Sequence, residues 1–254
     1  IGRFKNAFQV ARWIENSDYV EGENPFAEEG SRFPGGRPMM RDTSFRGAAY
    51  VMPHFSKPGI PELIANQIST YGPFDAVVEI GSGWGRNLFD IFYHSGCSGP
   101  YFGGEITSSG RKLGECLSSL AEGMKVSFHP YDHDMPDLSF IGKKDKVLVF
   151  SVHSIEQVHN IREDFFDLLC GFAAETVGIH IEPFGFQAEV LGKITELHKQ
   201  AIIDRGWNVN FLDTLRGAEK RDLLNIECIA TEIFCSADLG NPSSFAMWQA
   251  KRQN

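Results

Sequence analysis

The order of apolar and polar positions divides the chain into alternating strands and helices from residue 61 onward. Ala76–Ile80 and Lys146–Val152 are nearly unbroken apolar runs, the pattern of strands buried on both faces. Pro100–Ile106, Met124–Pro130 and Thr176–Pro183 read as further strands. Asn225–Cys235 alternates apolar and polar residues, and after a turn rich in Gly, Asn and Pro comes Ser244–Ala250, which predicts an antiparallel pair at one sheet edge. Between the strands the apolar period lengthens to that of a helix. Pro61–Tyr71 has Pro in its first turn; Leu88, Phe89, Ile91 and Phe92 mark a helix ended by Gly96. Gly110–Glu122 places Leu113, Cys116, Leu117 and Leu120 on one face, with Thr107 or Ser108 as cap. Phe165–Ala174, a long Gln187–Arg205 and a short insertion at Thr214–Leu224 complete the set. In the long helix Val190, Leu191, Ile194, Leu197, Ala201 and Ile202 are predicted inward, and Gly206 ends it.

Ahead of this region, Phe4, Ala7, Phe8, Val10, Ala11 and Ile14 predict an amphipathic helix. The stretch from there to Pro61 is rich in Gly, Pro and charge, which reads either as a lid or as a loop with no binding role. Arg37, Arg41 and Arg46 within it could meet an anionic substrate or stand solvated. The division this suggests is residues 1–60 as an N-terminal helix and lid-like segment, and 61–254 as one α/β domain.

The turn after Ala76–Ile80 carries the chemistry. Gly81, Gly83 and Gly85 are spaced by two, so the backbone can adopt conformations closed to other residues and a ligand can approach the main chain. Strand, glycine turn and helix in succession put a nucleotide-like ligand beyond the carboxyl end of the strand, with helix amides facing it. A dinucleotide fingerprint would need glycine where Arg86 stands, which argues against an NAD-dependent enzyme.

What stands instead, Glu79 through Gly85 as E-x-G-x-G-x-G, resembles the first motif of class I S-adenosylmethionine-dependent methyltransferases. The resemblance covers roughly Gly59 to Arg252 in element order. It implies a doubly wound, mostly parallel seven-stranded sheet with an antiparallel C-terminal pair, a helical or loop cap ahead of it, and S-adenosyl-L-methionine lying over the turn. In that frame Glu79, Gly81, Gly83, Gly85 and Arg86 form the cofactor turn, and Glu105, about 20 residues on, accepts from the ribose hydroxyls. Asp132, with Asp134 as second choice, is expected near the adenine amino group. The end of Lys146–Val152 would face the transferring methyl, which makes His153 a candidate general base, its ordinary pKa near neutrality, and Glu156 its orienting partner, a substrate contact or the cap of the next helix. A hydrogen-bonded structural histidine is the other reading of His153. The chain lacks the Asn-Pro-Pro-Tyr type motif of amino-group methylating members, which favours an oxygen acceptor.

Composition trims the alternatives. A formal charge of −9 with no basic run longer than two residues argues against nucleic acid, so a small-molecule substrate is expected. Five cysteines without CxxC spacing read as reduced core residues. No apolar run reaches membrane-spanning length and no signal peptide is visible, so no membrane and a cytoplasmic location are expected, while the start at Ile1 leaves room for an upstream segment. Two variants of the reading stay open: a magnesium-assisted O-methyltransferase, with His153, Glu156, His180 and Glu182 or the pair His129 and His133 as conceivable ligands, and a non-catalytic S-adenosylmethionine-binding protein. No metal site is assigned.

Overall fold

In the computed structural model, which describes residues 40–53, 59–97, 99–234 and 242–251, the strands form two sheets. Met40–Phe45 (β1) and Ala48–Pro53 (β2) make the smaller one. The larger contains Ala76–Ile80 (β3), Tyr101–Gly104 (β4), Val126–His129 (β5), Lys146–Val152 (β6), Glu175–Glu182 (β7), Leu224–Phe234 (β8) and Ser243–Ala250 (β9) in the spatial order β5-β4-β3-β6-β7-β9-β8. Strands β3 to β7 pair in parallel, whereas β9 runs antiparallel to both β7 and β8. The chain therefore builds outward from β3 to one edge, returns to β6 on its other side and builds to the second edge. The reversal leaves a crevice at the carboxyl end of β3, where open α/β sheets take their ligands.

The described helices are Ile60–Tyr71 (α1), Arg86–Ser95 (α2), Ser108–Ser118 (α3), Phe165–Gly171 (α4), Gly185–Ala188 (α5), Lys193–Arg205 (α6) and Phe211–Lys220 (α7). Ile64 and Ile68 of α1 and Leu88 and Ile91 of α2 pack with Val77, Leu148 and Ile179 on one face of the sheet. Phe165, Phe166 and Leu169 of α4 and Phe211, Leu212 and Leu215 of α7 pack with Val78, Val147 and Val149 on the other. Covering both faces is what makes β3 and β6 continuous apolar runs.

By contact, residues 42–50 group with 58–254 in one unit, and residues 1–41 with 51–57 form another. The helix predicted over Phe4–Ile14, Arg37 and Cys235 lie outside the described residues. Arg46 is exposed but engaged: its Nη1 donates to the carbonyl and hydroxyl of Thr231 at 3.2 and 2.7 Å and lies 3.7 Å from Glu189.

Three expectations are corrected. On α3, which ends at Ser118, Leu113 and Cys116 are exposed, as is Leu120 beyond it, and the buried residue is Gly114, seated against the Phe128 ring. The helix approaches the sheet through a glycine because Phe128 already fills the space. The long helix over Gln187–Arg205 is broken into α5 and α6, with extended backbone at Glu189 and Gly192; Val190 and Leu197 are exposed, and Thr195, His198 and Ile202 are buried. Cys116 and Cys228, expected in the core, are exposed, although the cysteines among the described residues are free thiols.

Glycine 178 anchors the terminal strand pair. It faces Trp248 across β7 and β9, and a Cβ there would stand 2.0 Å from the indole, which is fully buried. Gly178→Ala should therefore lower stability by about 3 kcal/mol or more, as overpacking of a rigid core does. Gly123→Ala, where φ is +80° but nothing lies within 4 Å, should cost only about 1–2 kcal/mol of backbone strain. Urea midpoints of the two variants measure the difference, and equal midpoints would contradict this account.

Candidate functional site

At the carboxyl end of β3 the chain turns through Gly81, Gly83 and Gly85 with φ of +75°, +56° and +84°. The amides of Gly81 and Ser82 both donate to the Gly104 carbonyl at the end of β4. A Cβ on Gly81 would collide with Ser154 at 2.3 Å, so the turn can lie against the loop after β6 only with glycine there. A Cβ on Gly83 would meet nothing within 4 Å: this side of the turn is open. Helix α2 starts at Arg86 with no side-chain cap, so its first-turn amides lack the partner such a cap would give. The Arg86 guanidinium lies 3.7 Å from Asp90 one turn on.

Two carboxylates hold the turn. Glu105, nearly buried, accepts from the Gly83 amide at 2.9 Å through Oε2 and from the Thr107 amide and hydroxyl at 2.8 and 2.6 Å through Oε1. A carboxylate has about four lone-pair directions, so one remains on Oε2. Glu79, on β3, accepts from Asn87 at 2.6 Å through Oε1, while its buried Oε2 has no partner. Burial raises its pKa to about 8, against the Asn87 hydrogen bond and with a contribution from the Glu105 charge. The Ser82 hydroxyl is likewise buried without a partner. Asp132 lies in the loop after β5, its Oδ1 accepting from the exposed Asp134 amide at 2.9 Å.

A second cluster sits at the ends of β6 and β7. His153, the residue after β6, has φ of +50° and donates its amide to the Ile181 carbonyl. Its Nδ1 lies 3.0 Å from Glu156 Oε2 and its Nε2 2.5 Å from the Ser243 hydroxyl at the start of β9. Burial works to lower the His153 pKa, but the hydrogen bond and charge of Glu156, together with the charge of Glu182, outweigh it and leave the pKa raised. Glu182, the last residue of β7, accepts from the amides of Ser154, Ile155 and Glu156 at 3.1 to 3.3 Å. Burial and the neighbouring Glu156 charge raise its pKa to about 7, with His153 pulling the other way.

The remaining candidates separate. His180 is fully buried, its Nδ1 2.9 Å from the Ser151 hydroxyl and its ring among Phe166, Phe211 and Trp248. His129 stacks on Phe140, while His133 is buried behind the glycine turn, 3.2 Å from the Ser154 hydroxyl. Among the described residues no group of three or more His, Cys, Asp or Glu side chains is placed to hold a metal ion. Sequence reasoning missed Ser154 and Ser243, and also Glu232. The last is fully buried with φ of +50°, its amide donating to the Ser244 hydroxyl and both carboxylate oxygens without a partner. Only Ser243 had a usable signal, since an antiparallel last strand begins at the carboxyl edge of the parallel ones.

These ionisations set opposing slopes of stability with pH in the cofactor-free protein. Burial lowers the pKa of His133 to about 4 and of His180 to about 3. The unfolded chain then binds more protons below the ordinary 6.5, and stability falls as pH drops from there toward 3. Glu79 and Glu182 are raised from 4.5 to about 8 and about 7, so the folded chain holds more protons and stability falls as pH rises above 4.5 through those values. The raised pKa of His153 has the same sign, its contribution being lost as pH rises through the folded value. Stability should therefore peak between the two ordinary values, 4.5 and 6.5, and decline on both sides. Urea midpoints against pH measure this, and Glu79→Gln should flatten the alkaline limb; an unchanged limb would rule Glu79 out as its source.

No protein family matches the chain, and no curated protein matches it. Solved structures do. Geranyl diphosphate C-methyltransferase from Streptomyces coelicolor A3(2), in complex with Mg2+, geranyl diphosphate and S-adenosyl-L-homocysteine, is 13% identical with a TM-score of 0.50, over 75% of this chain and 77% of that one. The N-terminal domain of EvdMO1, in the presence of SAH and D-fucose, is 14% identical with a TM-score of 0.48, over 98% and 97%. The plantazolicin methyltransferase BpumL, in complex with a triazolic desmethylPZN analog and SAH, is 13% identical with a TM-score of 0.48, over 76% and 84%. With the sheet order, the antiparallel last strand and the glycine turn already described, the likeness to the first of these settles the architecture: the chain has the class I methyltransferase fold.

Proposed function

We propose that this protein is an S-adenosylmethionine-dependent methyltransferase acting on a hydroxyl oxygen of a small molecule. The observation that carries it is the glycine turn at the sheet's switch point: three left-handed glycines, open space over Gly83, and Glu105 bonded to the Gly83 amide. The residues present suit the cofactor. The uncapped amides of α2 and the turn backbone would take its carboxylate end, with Glu79 Oε2 and the Ser82 hydroxyl as buried groups still lacking a partner. Glu105 keeps a lone pair for a ribose hydroxyl, and Asp132 stands for the adenine amino group. Ile106 and Met135, 63% and 72% exposed beside these two acids, offer apolar surface to the adenine ring.

When bound, the cofactor supplies an electrophilic methyl group on a sulfonium sulfur. The protein's part is to position the acceptor and remove its proton. His153 serves as the base, with Glu156 fixing the ring through Nδ1 and Glu182 holding the loop that carries both. A raised imidazole pKa strengthens the base.

Calorimetric titration with S-adenosylhomocysteine should show micromolar binding, weakened about tenfold or more (roughly 1.4 kcal/mol) by Glu105→Ala and less by Glu105→Gln, which keeps one acceptor. Failure of the folded wild-type chain to bind would end this reading. In a screen with isotopically labelled cofactor against small hydroxyl compounds, His153→Ala should lower kcat by about 100-fold or more with S-adenosylhomocysteine affinity unchanged. Undiminished turnover would assign the base elsewhere.

A further inference from the structure

The imidazole of His153 is engaged at both nitrogens, and the group on the outer one is a serine. Because the Glu156 carboxylate can only accept, a proton belongs on Nδ1. The neutral ring then presents Nε2 as acceptor, and the Ser243 hydroxyl, 2.5 Å away, donates to it. Carboxylate, imidazole and hydroxyl stand in the order and on the ring atoms that activate a serine in hydrolases, here assembled from the end of β6 and the start of β9.

The surroundings hold this arrangement firmly. His153 keeps a left-handed φ of +50°, a conformation unfavourable for a side-chain-bearing residue that persists only where its contacts impose it. Its amide is tied to Ile181, and the loop behind it is tied to Glu182 through three amides. The next residue, Ser244, is bonded instead to the Glu232 amide in the β8 irregularity, so of the two serines Ser243 is the one bonded to the imidazole. Among the described residues, Glu156 from its own loop and Glu182 from β7 bring charge to His153.

We propose that Ser243 is an activated hydroxyl, the outer member of a Ser243–His153–Glu156 relay, and that its Oγ is the basic atom offered to the acceptor substrate. The proposal rests on His153 being the acceptor's base. In the reaction, the acceptor's proton passes to Ser243 Oγ as the serine's own proton passes to His153 Nε2, so the serine is regenerated and the imidazolium is held by Glu156. Ser243 is catalytic in this scheme, and Glu156 is a positioning residue.

The full chain is treated with phenylmethanesulfonyl fluoride, a small probe chosen because Ser243 is only 4% exposed. The serine oxygen attacks sulfur, the S–O bond forms as the S–F bond breaks, fluoride leaves and the hydroxyl proton goes to His153. Peptide mapping should find one adduct, on Ser243 and not Ser244, absent in Ser243→Ala. Its rate should rise with pH as the imidazole becomes neutral, fall about 100-fold in His153→Gln, and fall less in Glu156→Gln. No adduct on Ser243, or a rate indifferent to His153→Gln, would overturn the proposal. A second measurement needs no access: nitrogen NMR of the His153 ring should find the Nδ1–H tautomer, and the Nε2–H tautomer would overturn it equally. Neither readout depends on cofactor binding, so retained S-adenosylhomocysteine affinity alongside a negative result would remove the relay and leave the methyltransferase reading standing.

Discussion

The loops at the carboxyl edge of this sheet are held by carboxylates borrowed from the neighbouring strand. A parallel strand uses its backbone groups on its neighbours, so the loop that follows it must find other partners for its amides. Glu105 at the end of β4 takes the Gly83 amide of the loop after β3, and Glu182 at the end of β7 takes three amides of the loop after β6. One acid thereby shapes the glycine turn and the other shapes the loop bearing His153. Ser154 joins the two: its amide is held by Glu182, its hydroxyl donates to the Ile80 carbonyl, and its side chain fills the space that Gly81 leaves. The turn and the loop after β6 are therefore one packed unit.

Such a design is stable only in a restricted sense. Burying Glu79 and Glu182 raises both carboxyls toward neutrality, because desolvation disfavours the charge more than the available hydrogen bonds favour it. A core built for stability alone would use apolar side chains at these positions. Unpartnered Oε2 of Glu79, the strained backbone of His153 and the unpartnered carboxylate of Glu232 all gather at the carboxyl edge of the sheet, while the opposite faces are packed with Phe, Leu, Ile and Val. Local departures from good packing and satisfied polar groups concentrate where a protein acts.

That distribution also explains what could be read beforehand. Strands β3 and β6 were legible because burial on both faces leaves no room for polar residues, and the glycine turn because three left-handed positions admit little else. The strand that ends beside Glu105 was legible as the next parallel strand after the turn. The inward face of α3 was not: apolar side chains on a helix do not say which way it faces when Gly114 permits closer contact than Leu113 does. Nor was the break between α5 and α6, since apolar residues continue across an extended segment. His180 misled for a related reason. Strand alternation correctly aligns it with Glu182 but says nothing of depth, and two residues back from the edge it meets Phe166, Phe211 and Trp248.

Strand polarity decides which residues reach the site. Five parallel strands deliver only their last residues and the loops after them to the carboxyl edge, so each can contribute a side chain only where its strand ends. Strand β9, inserted antiparallel between β7 and β8, delivers its first residue instead. Ser244 pairs with Glu182 in that register, which carries Ser243 one residue further out, beside the imidazole of His153. Residues some 90 positions apart in sequence thus become hydrogen-bonded with no local pattern to announce it. An edge strand reversed in direction gives a parallel sheet a hydroxyl at the place where its own strand ends supply imidazole and carboxylate.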